Sequence, residues 1–280
     1  MCRFGRAGSI IQTRARQEGF FLFLGLAGPS RPFYTSDMAQ IPRFEEIDYQ
    51  QTPLGDLILR KRTVLSLNNK EIYEIILGNS FLMSSLFTVV EQELSHLGLA
   101  AVEKAFPGEK LDVVVGGLGL GYTARAALEH DSVGSLRIVD YLKPVIEWHE
   151  KELVPLGKGL NDDPRCSYVL GDFFELSLGE GYMPEIEQFH AVLLDIDHSP
   201  AHLLTQDNAE FYSTEGLRKF SNKIKPGGVF GLWSDDPPEE SFLNSLREVF
   251  ESVDSHIVPF HNPIQDEDFE STVYVAVKAR

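Results

Sequence analysis

The run Gly116-Gly117-Leu118-Gly119-Leu120-Gly121 constrains this chain more than any other stretch, because of what stands on either side of it. Before it, Leu111-Asp-Val-Val-Val115 reads as a buried strand; after it, Tyr122–Glu129 has helical spacing. A glycine turn between a buried strand and a helix opens an α/β sheet in which ligands lie at the carboxyl ends of the strands. The downstream sequence keeps that alternation. Leu136–Val139, Ser167–Leu170, Ala191–Ile196 and Val229–Trp233 read as strands, with helices near Pro144–Leu153, Ser213–Ile224 and Glu239–Val253. Strands near His256–Val258 and Ser271–Val277 close the chain. Strands interleaved with helices predict a doubly wound, mostly parallel α/β sheet of seven strands, covered on both faces.

Ahead of that sheet, Leu57–Leu59, Val64–Leu67 and Ile72–Leu77 predict a small antiparallel β lead-in, turned at Asn68-Asn69 and ended by Gly78. Phe87–Leu97 and Leu99–Phe106 then read as two helices, the second broken by Pro107-Gly108. The organisation expected is an extension over 1–37, the lead-in and a linking helix over 38–98, and a ligand-binding domain over 99–280. The extension holds five arginines, only the acids Glu18 and Asp37, and the apolar run Gly19–Gly28. Such a start suits an organelle transit peptide, a secretory signal, or a segment outside the fold, which begins at Met38. A cytoplasmic location is expected unless 1–37 is a transit peptide.

Charge narrows the partners. The 280 residues carry 25 basic and 42 acidic side chains, a formal net charge of -17 that disfavours binding to nucleic acid. No apolar run is long enough to span a bilayer. Cys2 and Cys166 make no disulfide framework.

Glycine spacing narrows the ligand. From Gly117 the run reads G-x-G-x-G, so Tyr122 stands where a dinucleotide fingerprint needs its third glycine. Asp140 ends the second strand of the alternation, where a carboxylate can accept hydrogen bonds from both hydroxyls of a ribose. Gly171-Asp172-Phe173 ends the third, offering a carboxylate and an aromatic ring to a nucleobase. Singly, each has a structural reading, as a turn or a helix cap. Together, at successive strand ends, Gly117, Gly119, Gly121, Asp140, Asp172 and Phe173 predict a nucleoside-cofactor site. No metal site is expected, because the histidines and cysteines lack ligand spacing. No G-x-S-x-G elbow suggests a serine hydrolase.

This constellation resembles the class I S-adenosylmethionine-dependent methyltransferase superfamily. With Phe189-His-Ala-Val-Leu-Leu-Asp195, the following Asp195-Ile-Asp-His-Ser-Pro200, and Glu210-Phe-Tyr212, it looks most like the spermidine synthase branch. The resemblance covers most of the chain past Met38 and implies S-adenosylmethionine, or its decarboxylated form, as cofactor. It also implies Asp195 as general base, and a homodimer formed through the lead-in hairpins. Asp197 and His198 would orient a small-molecule substrate. Trp233, Asp235 and Asp236, beyond the next strand, would suit a cationic amine through charge and cation–π contact. Plainer readings stand beside these: Asp197 as a turn cap, His198 as a surface residue, and Asp235 or Asp236 as helix-dipole partners. Three departures mark this chain: Gly119 replaces the branch's aspartate, Val90-Glu91-Gln92 stands nearest its Tyr-(His/Gln)-Glu element, and His198 replaces the second acid of its box. An aspartate at 119 would repel the carboxylate of intact S-adenosylmethionine, so its absence favours that cofactor. The function expected is therefore methyl transfer to a small cationic amine. The alternatives are aminopropyl transfer from decarboxylated S-adenosylmethionine and a catalytically silent binding protein.

Overall fold

A computed structural model describes residues 43–280, within a compact unit spanning Ile41–Arg280. The extension expected over 1–37 lies outside the described residues.

The lead-in has four antiparallel strands in sequence order: β1 Phe44–Thr52, β2 Gly55–Val64, β3 Lys70–Leu77 and β4 Ser80–Ser84. Asn68 and Asn69 both take positive φ, 54° and 60°, and turn β2 into β3 as expected. Gly78 does not end the lead-in. At φ 57° it turns the chain into β4, whose Phe81-Leu82-Met83 run lacks the alternation that marks a strand. One face of the sheet buries Leu57, Leu59, Ile75 and Leu77 against the main core. Glu74, buried on β3, accepts hydrogen bonds from Arg60 Nε (2.7 Å) and Arg62 Nε (2.8 Å) on β2. Trp148 Nε1 donates to Asp48 of β1 at 2.7 Å and fastens the lead-in to the body.

One helix, α1 Val89–Ala105, stands where two were expected. Gly98 does not break it, because a Cβ there would meet Leu193 Cδ2 at 2.7 Å. The glycine allows α1 to seat closely on the sheet.

The body alternates as the sequence predicts: β5 Leu111–Gly116, α2 Tyr122–Leu128, β6 Val133–Asp140, α3 Lys143–Glu150, α4 Gly157–Asp162 and β7 Cys166–Leu170. It continues through α5 Phe173–Leu178, β8 Phe189–Leu194, α6 Ala209–Tyr212, α7 Thr214–Ser221, β9 Ile224–Ser234 and α8 Glu240–Arg247. Strands β10 Ser252–Asn262 and β11 Glu267–Val277 form a hairpin much longer than the apolar stretches that announce it. The seven-stranded sheet has the order β10-β11-β9-β8-β5-β6-β7, with only β10 and β11 antiparallel to their neighbours. Alternate residues of each central strand enter opposite cores. Val113 and Val115 of β5 join the core that holds Leu94 and Leu99 of α1, while Val114 joins an aromatic layer of Phe173, Phe211, Phe220 and Phe230.

The chain leaves β5 towards β6 and β7, then returns to β8 on the other side. Between β5 and β8 the strand order therefore reverses. Open α/β sheets bind ligands in the crevice at such a point.

Candidate active site

The glycine run spans that reversal. Gly117, Gly119 and Gly121 take φ of 93°, 47° and 91°, a region that side chains with a Cβ rarely enter. Gly117 N–H donates to the Val139 carbonyl (2.9 Å), and Asp195 N–H donates to the Gly116 carbonyl (2.8 Å), so the ends of β5, β6 and β8 are laced together. An added Cβ at Gly117 would collide with the Asp195 carbonyl oxygen. At Gly119 it would stand 2.5 Å from Met83 Sδ, which also accepts the Leu120 N–H at 2.9 Å. Gly121 faces inward instead. Its Cβ would meet Leu160 and His149, so its service is the turn into α2.

Asp140 closes β6 and accepts the Leu118 N–H (2.9 Å) and the Leu142 N–H (2.7 Å), tying the glycine run to α3. Burial pushes its carboxyl up to about 6, against the pull of those amides. Asp172 caps α5 by accepting the Phe174 (2.8 Å) and Glu175 (3.2 Å) N–H groups, while still lining the crevice. Phe173 is buried beneath the run, with its ring 2.5 Å from where a Cβ on Gly116 would stand.

Asp195 follows the last residue of β8 and accepts the Thr123 hydroxyl at 2.6 Å. Burial raises its carboxyl above the usual carboxylate range. Glu91, in the first turn of α1, is also raised by burial, and then by the charges of Asp195 and Asp235. Val90-Glu91-Gln92 stands nearest the branch's Tyr-(His/Gln)-Glu element in sequence, and the fold sets Glu91 beside Asp195 in the same cavity wall. No local signal distinguishes it, since an acid in a first helical turn is ordinarily a dipole partner.

These groups border a cavity of about 480 Å³. Its acids are Glu91, Asp140, Asp172, Glu175, Asp195 and Asp207; His198 also lines it, and no lysine or arginine does among the described residues. Trp233 shares the wall, with its Nε1 buried and unpartnered among the described residues. A second cavity of about 290 Å³ adjoins it across Leu82, Met83, Glu91, His198 and Trp233, and Asp235 lines this one.

Asp197 and Asp236 stand apart from both cavities. Asp197 is buried, accepting hydrogen bonds from Leu204 N–H (2.6 Å), Asn208 Nδ2 (2.9 Å) and Tyr212 hydroxyl (2.8 Å). It organises the loop that carries His198. Asp197→Ala is expected to cost about 2–4 kcal/mol in urea denaturation, because it orphans three donors. Asp236 pairs with His202 at 2.7 Å, and its carboxyl is held low by Ser199 and then by that histidine. No cluster among the described residues suits a metal ion, and no described helix is long and apolar enough to cross a membrane.

The strand order, the reversal and the separate antiparallel sheet have close counterparts among solved proteins. Spermidine synthase from Thermotoga maritima superposes with a TM-score of 0.62 at 19% identity, covering 84% of this chain and 73% of that one. The fold is that of spermidine synthase. A second spermidine synthase with this fold, solved with the transition-state analogue AdoDATO, gives 0.62 at 18% identity, covering 84% and 72%. No family model matches the chain. In sequence it is similar to polyamine aminopropyltransferase 2 of Pseudomonas aeruginosa, 25% identical over 247 residues, or 81% of this chain. The enzyme of Korarchaeum cryptofilum is 26% identical over 256 residues, covering 88% of this chain and 70% of that protein. That of Pyrobaculum islandicum is 29% identical over 121 residues. The chain spans 66% of the Pseudomonas protein and 39% of the Pyrobaculum one.

Proposed function

We propose that this spermidine synthase-like chain is an aminopropyl transferase, taking its donor from decarboxylated S-adenosylmethionine and passing the group to an amine. The observation that carries the reading is the make-up of the cavity: six carboxyl groups and, among the described residues, no lysine or arginine. A donor that keeps its carboxylate would meet like charge on several sides, whereas one bearing only cationic groups would meet attraction. This reverses the weight that Gly119 carried in favour of methyl transfer. Loss of one carboxylate at 119 matters little where Asp172, Asp195 and Asp207 remain and no lysine or arginine among the described residues replaces it. The similarity to polyamine aminopropyltransferases supports the same choice.

The residues fit such a donor. Gly117 and Gly119 line the cavity, and Asp140 faces it with acceptor capacity beyond its amide partners. Asp172 and Phe173 supply an acceptor and an apolar wall for a base. The donor contributes an electrophilic carbon on a sulfonium. Asp195 is then the base that takes a proton from the incoming ammonium, and its raised carboxyl is closer in proton affinity to working pH than an ordinary aspartate. Glu91 and Asp195 hold the amine beside the glycine run, with His198 and Trp233 completing the wall.

Isothermal calorimetry with both forms tests this. The decarboxylated donor is expected to bind at least about tenfold more tightly than intact S-adenosylmethionine, the scale of one like-charge contact. Equal or tighter binding of the intact form would return the reading to methyl transfer.

A further inference from the structure

The second cavity is unlike the first. Apart from the shared wall, it is bounded by Phe81 of β4, by Phe87 and Val89 at the start of α1, and by Phe260 and Phe269 on the long β10–β11 hairpin. Phe87 and Phe260 have ring centroids 6.0 Å apart, and Phe260 and Phe269 stack at 6.1 Å. Phe81 and Phe269 are 46% and 40% exposed, so the rim presents two aromatic faces to water. Its charge lies at one end. Glu91 belongs to the shared wall, Asp235 is near enough to raise Glu91, and Asp235 is fixed from the hairpin by the Ser271 hydroxyl at 3.3 Å. Elsewhere the lining is apolar or neutral: phenylalanines, Val89, Val90, Ser84 and Asn262.

From this asymmetry we propose that the acceptor is an amine carrying an apolar tail, aliphatic or aryl, with its nitrogen at Glu91–Asp195 and its tail among Phe87, Phe260 and Phe269. This rests on the amine-transfer reading above and narrows it. A short α,ω-diamine would bring a second ammonium into the phenylalanine end, where no described carboxylate lines the cavity to offset its desolvation. A tail there instead buries methylenes and covers exposed rings. Each buried methylene contributes about a fourfold gain in affinity, so two suffice for more than about tenfold.

Calorimetric titration of the full chain with hexylamine, 2-phenylethylamine and 1,4-diaminobutane tests the proposal without requiring turnover. The two monoamines are expected to bind at least about tenfold more tightly than the diamine. Phe260→Ser should weaken hexylamine about tenfold, and Phe260→Leu should restore most of the loss, separating tail contact from damage to the hairpin. A diamine that binds as tightly as hexylamine, or hexylamine affinity indifferent to Phe260→Ser in a folded variant, overturns it. Product formation with decarboxylated S-adenosylmethionine is read separately. Tight monoamine binding with no transfer to any of the three amines would sink the activity assigned above and leave the tail site standing. Transfer confined to the diamine would do the reverse.

Discussion

Asp195→Asn is expected to lower the transfer rate by about 10²–10⁴-fold, the usual contribution of a positioned general base, while raising thermal stability at neutral pH. The two effects share one cause. Asparagine can keep the Thr123 hydrogen bond at 2.6 Å, so the end of β8 stays in place, but it cannot take a proton. In the parent, burial raises the Asp195 carboxyl, and Asp195 in turn helps raise Glu91. A raised carboxyl means that the native state binds protons more readily than the unfolded chain. Between the ordinary carboxylate range and the raised one, stability therefore increases as pH falls and decreases as pH rises. At neutral pH Asp195 is ionised beside a Glu91 whose carboxyl is pushed up to about 8, and holding this pair in the buried site destabilises the fold. Removing one member should recover on the order of 1–3 kcal/mol and should bring Glu91 back towards its ordinary value. The activity profile runs the other way, because transfer needs the ionised base and should fall as pH drops through the raised range. Asp140, raised to about 6, keeps part of the stability slope in the variant, which should be shallower than the parent's but not flat. Thermal denaturation across pH, beside initial rates, checks both halves. A variant that is inactive but no more stable would contradict the cost of burial assigned to this carboxylate.

Gly117→Ala should be the most damaging single methyl group in the described fold's ligand loop. Its φ of 93° is costly for any residue with a Cβ, and the added carbon would collide with the Asp195 carbonyl. Left-handed backbone and overpacking together suggest a loss of about 2–5 kcal/mol. Any relief must come from moving β8 away from β5, which shifts Asp195 and opens the Asp195–Gly116 hydrogen bond of 2.8 Å. Donor affinity should therefore fall with stability. Gly159→Ala is the matched control: it lies in α4, exposed, with nothing within 4 Å of the added carbon. There the same change should stabilise by about 0.5–1 kcal/mol. Urea denaturation of both variants and calorimetry of the donor would separate loop damage from a general loss of fold.

The sheet was legible because buried parallel strands and a glycine turn leave strong local signals. Val113–Val115 and Ala191–Leu194 are apolar throughout, as strands covered on both faces must be. β1 and β4 were missed for the opposite reason: β1 is mostly exposed and polar, and β4 has no alternation. Gly98 read as a break because a glycine in a helix has two meanings, and only Leu193, far away in sequence, selects the packing one. The site followed the same division. Asp140, Asp172 and Asp195 stand at strand ends, where topology itself marks them. Glu91 and Met83 arrive from the lead-in and the first helix, so their relevance exists only after folding. Asp197 looked like a ligand group because of its neighbours, yet it is buried with three donors of its own.

The seat of α1 on β8 carries a last consequence. Glu91 stands at the start of that helix and Asp195 just past the end of that strand, while Gly98 rests against Leu193 between them. The separation of the two acids is therefore a packing dimension, gauged by one missing methyl group two helical turns from the chemistry. Relatives with alanine or serine at this position would hold the helix further out, and would tune the shared proton affinity of the pair without altering either carboxylate. In this architecture, acidity is adjusted from the core.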